Sequence, residues 1–386
     1  MQRPWQLLFL TLLSIIAIFI FKEEGVNSMC GIAGLISHKK VKENGSRIRK
    51  GIVLQNDRGN GLGAGYAAYG IYPQYERLYA LHVMAMDPAS MREVKKYFRQ
   101  NFELHHEEEI PLWDKKLSEH PVFRRFFVKP GRPALNDPLW DGNEDDYTIR
   151  KVMELNNSCR RAFVFSSGKN MGVFKGVGTP ADIYDFFLLD DYEGYIWLAH
   201  NRFPTNTPGW WGGAHPFNLL GWSIVHNGEI SSYGINRRYL DSHGYVCRMQ
   251  TDSEVVAYLL DLLIRRHGLT IYDCAMVLAP PYWATTERIS DGQLREFMLS
   301  LKIIYESAML NGPFAILAAC SEGMFSLTDN TKLRPMTIAT TGDYSYFASE
   351  VSALYEMEEN PETVFAPRAG QPYIVMLNHC RGGCKK

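Results

Sequence analysis

The sequence predicts an α+β fold in which two packed sheets are covered by helices. Many short apolar or alternating segments have the length of strands, whereas only two or three longer segments have helical spacing and caps. The 386 residues are 46% hydrophobic, which is enough for a substantial core. Because no repeat or low-complexity linker divides the chain, we expect one domain over residues 30–378, followed by a frayed tail at 379–386.

The first half of the chain contains five predicted strands and one predicted helix. The strands are expected at residues 30–37, 67–72, 161–165, 195–200 and 222–226, with a glycine-rich loop at 57–65. Asp87 caps a helix over 91–102, with Pro88 at its first position. The segment 107–147 is rich in Pro, Asp, Trp and Arg, and we interpret it as an irregular insertion on the core fold.

The second half begins with a helix and continues mainly as strands. Thr251-Asp252-Ser253-Glu254 is a capping box that opens a helix through residue 264, with Gly268 just past its end. A second amphipathic helix is expected over 291–310. The remaining predicted strands cover 314–319, 324–327, 336–340, 344–348 and 373–377.

An apolar run at residues 7–21 lies within a leader that extends to Met29. The run is shorter than the roughly 20 residues that span a bilayer, so it suits a signal-peptide core or a short anchor. We favour a third interpretation, in which the gene start is assigned too early and translation begins at Met29. The protein is then expected in the cytoplasm, and it would be anchored in a membrane only if residues 1–29 were retained.

Composition excludes some classes of function. A net charge of −1 argues against a dedicated nucleic-acid binder, which normally has a basic excess. Seven scattered cysteines do not have the spacing of a disulfide framework and fit a reducing compartment. Cys380 and Cys384 have no evident partners for a metal site, and we expect no metal.

Cys30 is the candidate nucleophile. If the preceding residues are absent, Cys30 carries both a thiol and a free α-amino group. An α-amino group titrates at about 7.7–8.0 and can take the thiol proton through a bridging water near neutral pH. One residue would thus supply nucleophile and base for covalent acyl chemistry.

Three polar clusters lie where predicted strands end or a predicted helix begins. Arg202 and Thr205 follow one strand, and an arginine fork can hold a carboxylate. Asn227 and Gly228 close another strand, where an amide and a backbone N–H can face an oxyanion. Asp252 could bind an α-ammonium. Each cluster also has a structural alternative: a surface salt bridge, a tight turn and a helix-dipole interaction, respectively.

Taken together, these motifs resemble those of class II glutamine amidotransferases, the N-terminal-nucleophile type. The residues of the Arg202 and His226 motifs are most similar to those of the amidotransferase domain of glutamate synthase, particularly the archaeal-type separate subunit. The shared motifs are Cys30-Gly31-Ile32-Ala33-Gly34, Arg202-Phe203-Pro204-Thr205-Asn206, His226-Asn227-Gly228-Glu229, Thr251-Asp252-Ser253-Glu254, the Asp329 to Pro335 turn and Ala348-Ser349-Glu350-Val351.

The resemblance implies a four-layer αββα sandwich of the N-terminal-nucleophile hydrolase type. It implies that Cys30 is the nucleophile, that Asn227 and Gly228 form the oxyanion hole, and that Gly228 also helps to hold the substrate. Arg202, assisted by Thr205, would bind the glutamine carboxylate, and Asp252 would bind the α-amino end. If residues 1–29 are retained, Cys30 has no free amine and the mechanism lacks its base.

The resemblance also implies a partner. The sequence contains no phosphate-binding loop and no dinucleotide fingerprint, so we expect a separate synthase subunit to accept the ammonia. That subunit would carry FMN and an iron–sulfur cluster, and none of these cofactors is expected on this chain. Two alternatives remain open: a hydrolase of another amide, and a membrane-tethered glutamine-binding or regulatory subunit.

Overall fold

The structure is a computed structural model that describes residues 29–117, 119–203 and 209–377. Within these ranges the chain forms sixteen strands and eleven α-helices. The strands are β1 (Gly31–Ser37), β2 (Ala64–Tyr69), β3 (Tyr79–Ala85), β4 (Glu103–Glu109), β5 (Val122–Lys129), β6 (Ala162–Ser166), β7 (Met171–Gly176), β8 (Ile196–Asn201), β9 (Phe217–Leu219), β10 (Trp222–Gly228), β11 (Phe314–Cys320), β12 (Gly323–Thr328), β13 (Thr337–Thr340), β14 (Tyr344–Ala348), β15 (Thr363–Phe365) and β16 (Tyr373–Met376). The helices are α1 (Ser46–Leu54), α2 (Pro88–Asn101), α3 (Gly131–Leu135), α4 (Glu144–Ser158), α5 (Pro180–Phe186), α6 (Tyr233–Ser242), α7 (Asp252–Leu260), α8 (Ile271–Leu278), α9 (Trp283–Glu287), α10 (Gly292–Ile304) and α11 (Val351–Met357).

The strands form three antiparallel sheets. A seven-stranded sheet has the order β15-β13-β14-β1-β8-β2-β7, and a five-stranded sheet has the order β16-β12-β11-β10-β9. A four-stranded sheet has the order β4-β5-β3-β6. The candidate site depends on the first two sheets, because β1, β8 and β10 carry Cys30, Arg202 and Gly228 at or next to their ends.

The seven-stranded and five-stranded sheets face each other. Val225 and Leu317 belong to the core that these two sheets share, whereas their neighbours Ile224 and Ile316 pack on the other face of the smaller sheet. Helices α1, α5 and α11 contact the seven-stranded sheet, and α7 contacts β9 and β10. The order helix, sheet, sheet, helix confirms the predicted α+β class and its four-layer αββα architecture.

The third sheet corrects the interpretation of residues 107–147 as irregular. Most of β4 is charged, so its sequence does not have the apolar alternation that predicts a strand. Its stability comes from pairing with β5, where Glu108 lies opposite Arg125 and Glu109 opposite Arg124. The two ion pairs have N–O distances of 2.7 and 3.0 Å. Cross-strand pairs of opposite charge stabilise a sheet, but they become visible only once the strands are placed together.

Several predicted boundaries are confirmed and others are shifted. Asp87 caps α2 by accepting a hydrogen bond from the Ser90 N–H at 2.8 Å, as predicted. The strand predicted at 67–72 is β2 and ends at Tyr69. The helix predicted over 251–264 is α7, which continues as a π-helical segment through Asp261–Arg266. The helix predicted over 291–310 is shorter, since α10 ends at Ile304.

The apolar run at residues 7–21 and the tail at 379–386 lie outside the described residues. In the part of the chain that the structure describes, no helix combines the length and the apolar character needed to cross a membrane.

Candidate active site

A cavity of about 260 Å³ brings together most of the site residues predicted from the sequence. Cys30, Arg202, Gly228 and Asp252 line this cavity, although 222 positions separate the first from the last. Its volume lies just below the usual range of small-molecule sites, about 300–1,000 Å³, which favours a small ligand. Thr205 lies outside the described residues, so its predicted role is not tested.

Cys30 directly precedes β1 and is held by contacts from distant segments. The Phe203 N–H donates to its Sγ at 3.3 Å, and the Arg58 Nε donates to its carbonyl at 3.1 Å. Arg58 is paired in turn with Glu350, with an N–O distance of 2.7 Å. Glu350 belongs to one of the motifs recognised in the sequence, whereas Arg58 has no local sequence signal that predicts its place in the site. Together these contacts fix the backbone of the candidate nucleophile.

The environment of the Cys30 thiol opposes spontaneous ionisation. Burial raises the pKa of Cys30 above its ordinary value, although the Phe203 N–H and the charges of Arg202 and Arg58 act in the opposite direction. A thiolate, not a thiol, is the effective nucleophile. Chemistry at Cys30 therefore requires a base that accepts the thiol proton.

Arg202 lies immediately after β8, a central strand of the seven-stranded sheet. Its backbone N–H donates to the Gly63 carbonyl at 2.9 Å, which fixes where the side chain starts. A Cβ added at Gly213 would lie 3.4 Å from Arg202 Nη1, so the guanidinium passes close to the chain there. The side chain supplies the cavity with a permanent positive charge.

Asn227 and Gly228 end β10. Gly228 has φ of +140°, and a Cβ at this position would lie 2.0 Å from the Pro313 carbonyl oxygen, so only glycine fits. Asn227 is buried, and its Nδ2 has no hydrogen-bond partner among the described residues. A buried amide donor without a partner is unfavourable for folding, which is typical of a group kept for a ligand.

Asp252 is the first residue of α7, and Thr251 caps this helix by accepting from the Glu254 N–H at 3.1 Å. The Ile230 N–H donates to Asp252 Oδ2 at 3.0 Å. Burial raises the pKa of Asp252, but the His226 imidazole and the Ile230 N–H outweigh it and hold the pKa below its ordinary value. Asp252 is therefore ionised and supplies the cavity with a negative charge.

Next to Asp252 lies a buried cluster whose residues the sequence analysis did not assign to the site. The rings of His200 and His215 stack with centroids 4.0 Å apart, and His200 Nε2 donates to the His226 carbonyl at 2.9 Å. His215 and His226 both contact the Ser253 hydroxyl. His226 is the first residue of the His226-Asn227-Gly228-Glu229 motif, and His200 lies two residues before Arg202, but nothing local to His215 indicates that it reaches α7.

Glu254 differs from the predicted capping box. Its side chain is turned inward and accepts from the N–H groups of Arg248 and Met249 at 3.0 and 2.8 Å, and not from Thr251. Burial raises the pKa of Glu254 to about 7. Lys175 lies close enough to interact with Glu254, and burial lowers the pKa of Lys175 to about 7. Glu254 thus anchors the segment that leads into Gln250 and Thr251, which line the cavity.

The cavity therefore combines a thiol, a fixed cation and a carboxylate, the set needed to place a zwitterionic amino acid against a nucleophile. The family model described as class II glutamine amidotransferases matches residues 103–372, more than half of the chain. The chain belongs to the class II glutamine amidotransferases. Arg202, Asn227, Gly228 and Asp252 lie within the matched residues, and Cys30 lies before them.

Two relatives of this amidotransferase match over most of their length. An uncharacterized protein of Archaeoglobus fulgidus is 45% identical over 352 residues, which cover 90% of this chain and 92% of that protein. A Methanothermobacter thermautotrophicus protein, named provisionally as a glutamine amidotransferase, is 24% identical over 86% of this chain and 95% of its own. Among solved structures, the glutamine phosphoribosylpyrophosphate amidotransferase of B. subtilis aligns with a TM-score of 0.44 at 15% identity. That alignment covers 91% of this chain and 50% of the B. subtilis chain.

Proposed function

We propose that this chain hydrolyses glutamine through a thioester on Cys30. The observation that carries the proposal is the shared cavity, in which the Cys30 thiol lies with Arg202, Gly228 and Asp252. Glutamine has a carboxylate, an ammonium and a side-chain amide, which match the cation, the carboxylate and the nucleophile in turn.

Each step of the proposed reaction uses a named group. Arg202, assisted by Thr205, holds the glutamine α-carboxylate, and Asp252 with Gly228 holds the α-ammonium. The Cys30 thiol passes its proton to the base, and Sγ attacks the side-chain amide carbon. Asn227 and Gly228 stabilise the resulting oxyanion, for which one well-placed donor contributes about 2.7–4 kcal/mol.

The tetrahedral intermediate then collapses to a γ-glutamyl thioester. The carbon–nitrogen bond breaks, and the proton held by the base goes to the departing ammonia. Water, activated by the same base, attacks the thioester and releases glutamate and the free thiol. The base is the α-amino group of Cys30, so the proposal requires a mature chain that begins at Cys30.

We further propose that the ammonia is delivered to a separate synthase subunit of the glutamate synthase type, which carries FMN and an iron–sulfur cluster. The proposal of a glutamate synthase partner, among the branches of the family, is supported by the residue sequences of the Arg202 and His226 motifs. In this proposal the chain carries no cofactor or metal of its own and works in the cytoplasm.

Replacing Cys30 tests the central step. Cys30→Ala should lower glutamate release from glutamine by at least about 1,000-fold, because removal of a covalent nucleophile leaves only binding and oxyanion stabilisation. Cys159→Ala, at the end of α4, is the matched control and should keep full activity. Intact-mass measurement of the wild-type protein from its native gene should give a chain that begins at Cys30.

Three results would contradict the proposal. Undiminished glutaminase activity in Cys30→Ala would exclude the thioester. A mass that includes residues 1–29 in an active preparation would exclude the α-amine as base. Glutamine binding without turnover, measured by calorimetry on the mature chain, would favour the binding-subunit alternative.

A further inference from the structure

Ser253 lies at the centre of the buried histidine cluster, next to Asp252, and it lines the same cavity as His215 and His226. Its Oγ is 2.7 Å from His215 Nε2, 3.1 Å from His226 Nδ1 and 3.2 Å from Asp252 Oδ1. The side chain is 1% exposed, so these three groups are its contacts in place of solvent. Ser253 joins three groups that come from the β8–β9 connection, from β10 and from α7.

The chemistry of these groups fixes the direction of each hydrogen bond. A hydroxyl has one proton and two lone pairs, and an ionised carboxylate only accepts. Ser253 therefore donates to Asp252 and accepts from both histidines. His215 must carry its proton on Nε2, and His226 must carry one on Nδ1. Burial lowers the pKa of His215 well below its ordinary value, so its ring is neutral and has a single tautomer.

These bonds hold the Asp252 carboxylate in place. Oδ1 accepts from Ser253, and Oδ2 accepts from the Ile230 N–H at 3.0 Å. Both oxygens are thereby fixed in orientation, and their remaining lone pairs are available to the cavity that Asp252 lines.

We propose that Ser253, oriented by His215 and His226, is a positioning residue that sets the Asp252 carboxylate for recognition of the substrate α-ammonium. This inference rests on the proposed glutaminase function. The cluster is not explained by folding stability alone, because His215 Nδ1 and His226 Nε2 are buried without partners among the described residues. Unpaired buried polar atoms are unfavourable for folding, and their concentration beside Asp252 indicates a local requirement of the site.

The decisive comparison uses two substrates that differ only at the α-carbon. Glutamine carries the α-ammonium, and 4-carbamoylbutanoate has the same carboxylate and amide without it. Ser253→Ala should lower kcat/KM for glutamine about 10- to 100-fold, mainly through KM, as expected when a binding group is misplaced. The value for 4-carbamoylbutanoate should stay within about threefold of wild type, because that substrate makes no use of Asp252.

Two further variants calibrate this result. Asp252→Asn should give the smallest ratio of kcat/KM for glutamine to kcat/KM for 4-carbamoylbutanoate. The ratio for Ser253→Ala should lie between that value and the wild-type value. Ser326→Ala removes another buried hydroxyl, on β12, that has no partner among the described residues, and it should leave the ratio of the two kcat/KM values unchanged.

A measurement on the wild-type protein does not depend on how the variants fold. Nitrogen-15 NMR of labelled histidines should find His215 protonated on Nε2 and His226 protonated on Nδ1. An equal loss of activity toward both substrates in a folded Ser253→Ala protein would overturn the inference, as would a His226 ring protonated on Nε2 alone. Absence of glutamine turnover in the mature wild-type chain would instead overturn the proposed function.

Discussion

At the scale of single residues, Gly228 shows how one backbone conformation can determine the site. Its φ of +140° turns the chain at the end of β10, and the Pro313 carbonyl lies where a side chain would begin. By itself, the sequence Asn227-Gly228 predicts a tight turn more readily than an oxyanion hole. The proposed function takes the second role: Gly228 lines the cavity, and Nδ2 of the buried Asn227 has no hydrogen-bond partner among the described residues.

Gly228→Ala should therefore damage both activity and stability. We expect glutamine hydrolysis to fall at least about 100-fold, since displacement of this backbone removes an oxyanion donor. The strained conformation should lower the free energy of unfolding by about 1–3 kcal/mol. Gly221→Ala is the control: a Cβ there meets no atom within 4 Å, and the expected change is within about 0.5 kcal/mol. Denaturant unfolding and a glutamate-release assay measure the two effects, and near-wild-type activity of Gly228→Ala would argue against the oxyanion role.

At the scale of elements, the start of α7 carries both the carboxylate proposed to recognise substrate and an internal anchor. Thr251 caps the helix, Asp252 faces the cavity, and Glu254 turns inward to hold the segment before the helix. These three residues, within a stretch of four, thus have different roles, although the sequence predicted only a helix cap and a binding carboxylate. The inward position of Glu254 follows from its partners, the backbone N–H groups of Arg248 and Met249, which lie outside the capping pattern.

The buried Glu254 carboxyl should make folding depend on pH. Its pKa is raised from about 4.5 to about 7 in the folded protein, so the folded state binds this proton more tightly than the unfolded state between those values. Stability contributed by the protonated group is complete below pH 4.5 and is lost as the pH rises through 7. Glu254→Gln should therefore reduce the loss of unfolding free energy between pH 5 and pH 7. Glu296→Gln on the exposed side of α10 is the control, and an unchanged pH slope in Glu254→Gln, measured by urea unfolding, would contradict the assignment.

At the scale of the whole molecule, the cavity depends on how closely the two central sheets approach. Gly34 on β1 lies against Leu317 and Met324 of the five-stranded sheet, and a Cβ at Gly34 would lie 2.5 Å from Leu317 Cδ2. The absence of a side chain at this position allows β1, and with it Cys30, to lie close to the five-stranded sheet, whose strand β10 ends at Gly228. Gly34, the second glycine of the Cys30 motif, is thus required by packing between the two sheets.

Substitutions at this contact should be coupled. Gly34→Ala should lower the free energy of unfolding by about 1–3 kcal/mol through overpacking, and Leu317→Ala should lower it by about 2–5 kcal/mol through the cavity it leaves. The double variant should lose less unfolding free energy than the sum of the two single losses, because the added methyl group occupies part of the space that Leu317 vacates. If the two changes in unfolding free energy, measured by denaturant unfolding, were strictly additive, they would show that the two sheets are not in tight contact at Gly34.

The sequence by itself determined the α+β class, most of the strands that carry the site, and four residues that line one cavity: Cys30, Arg202, Gly228 and Asp252. These signals are local, because caps, strand ends and motifs lie within a few residues of one another. Thr205 lies outside the described residues and stays a prediction.

Only the tertiary structure decided which remote segments support that site. The pairing of β4 with β5, the inward Glu254 and the hydrogen bonds of Ser253 depend on partners that no local pattern identifies. The physical reason is burial: the state and direction of a polar side chain are set by the groups that replace water around it. His215 and Ser253 are 38 positions apart, and their contact exists because the β8–β9 connection, β10 and α7 meet next to Asp252.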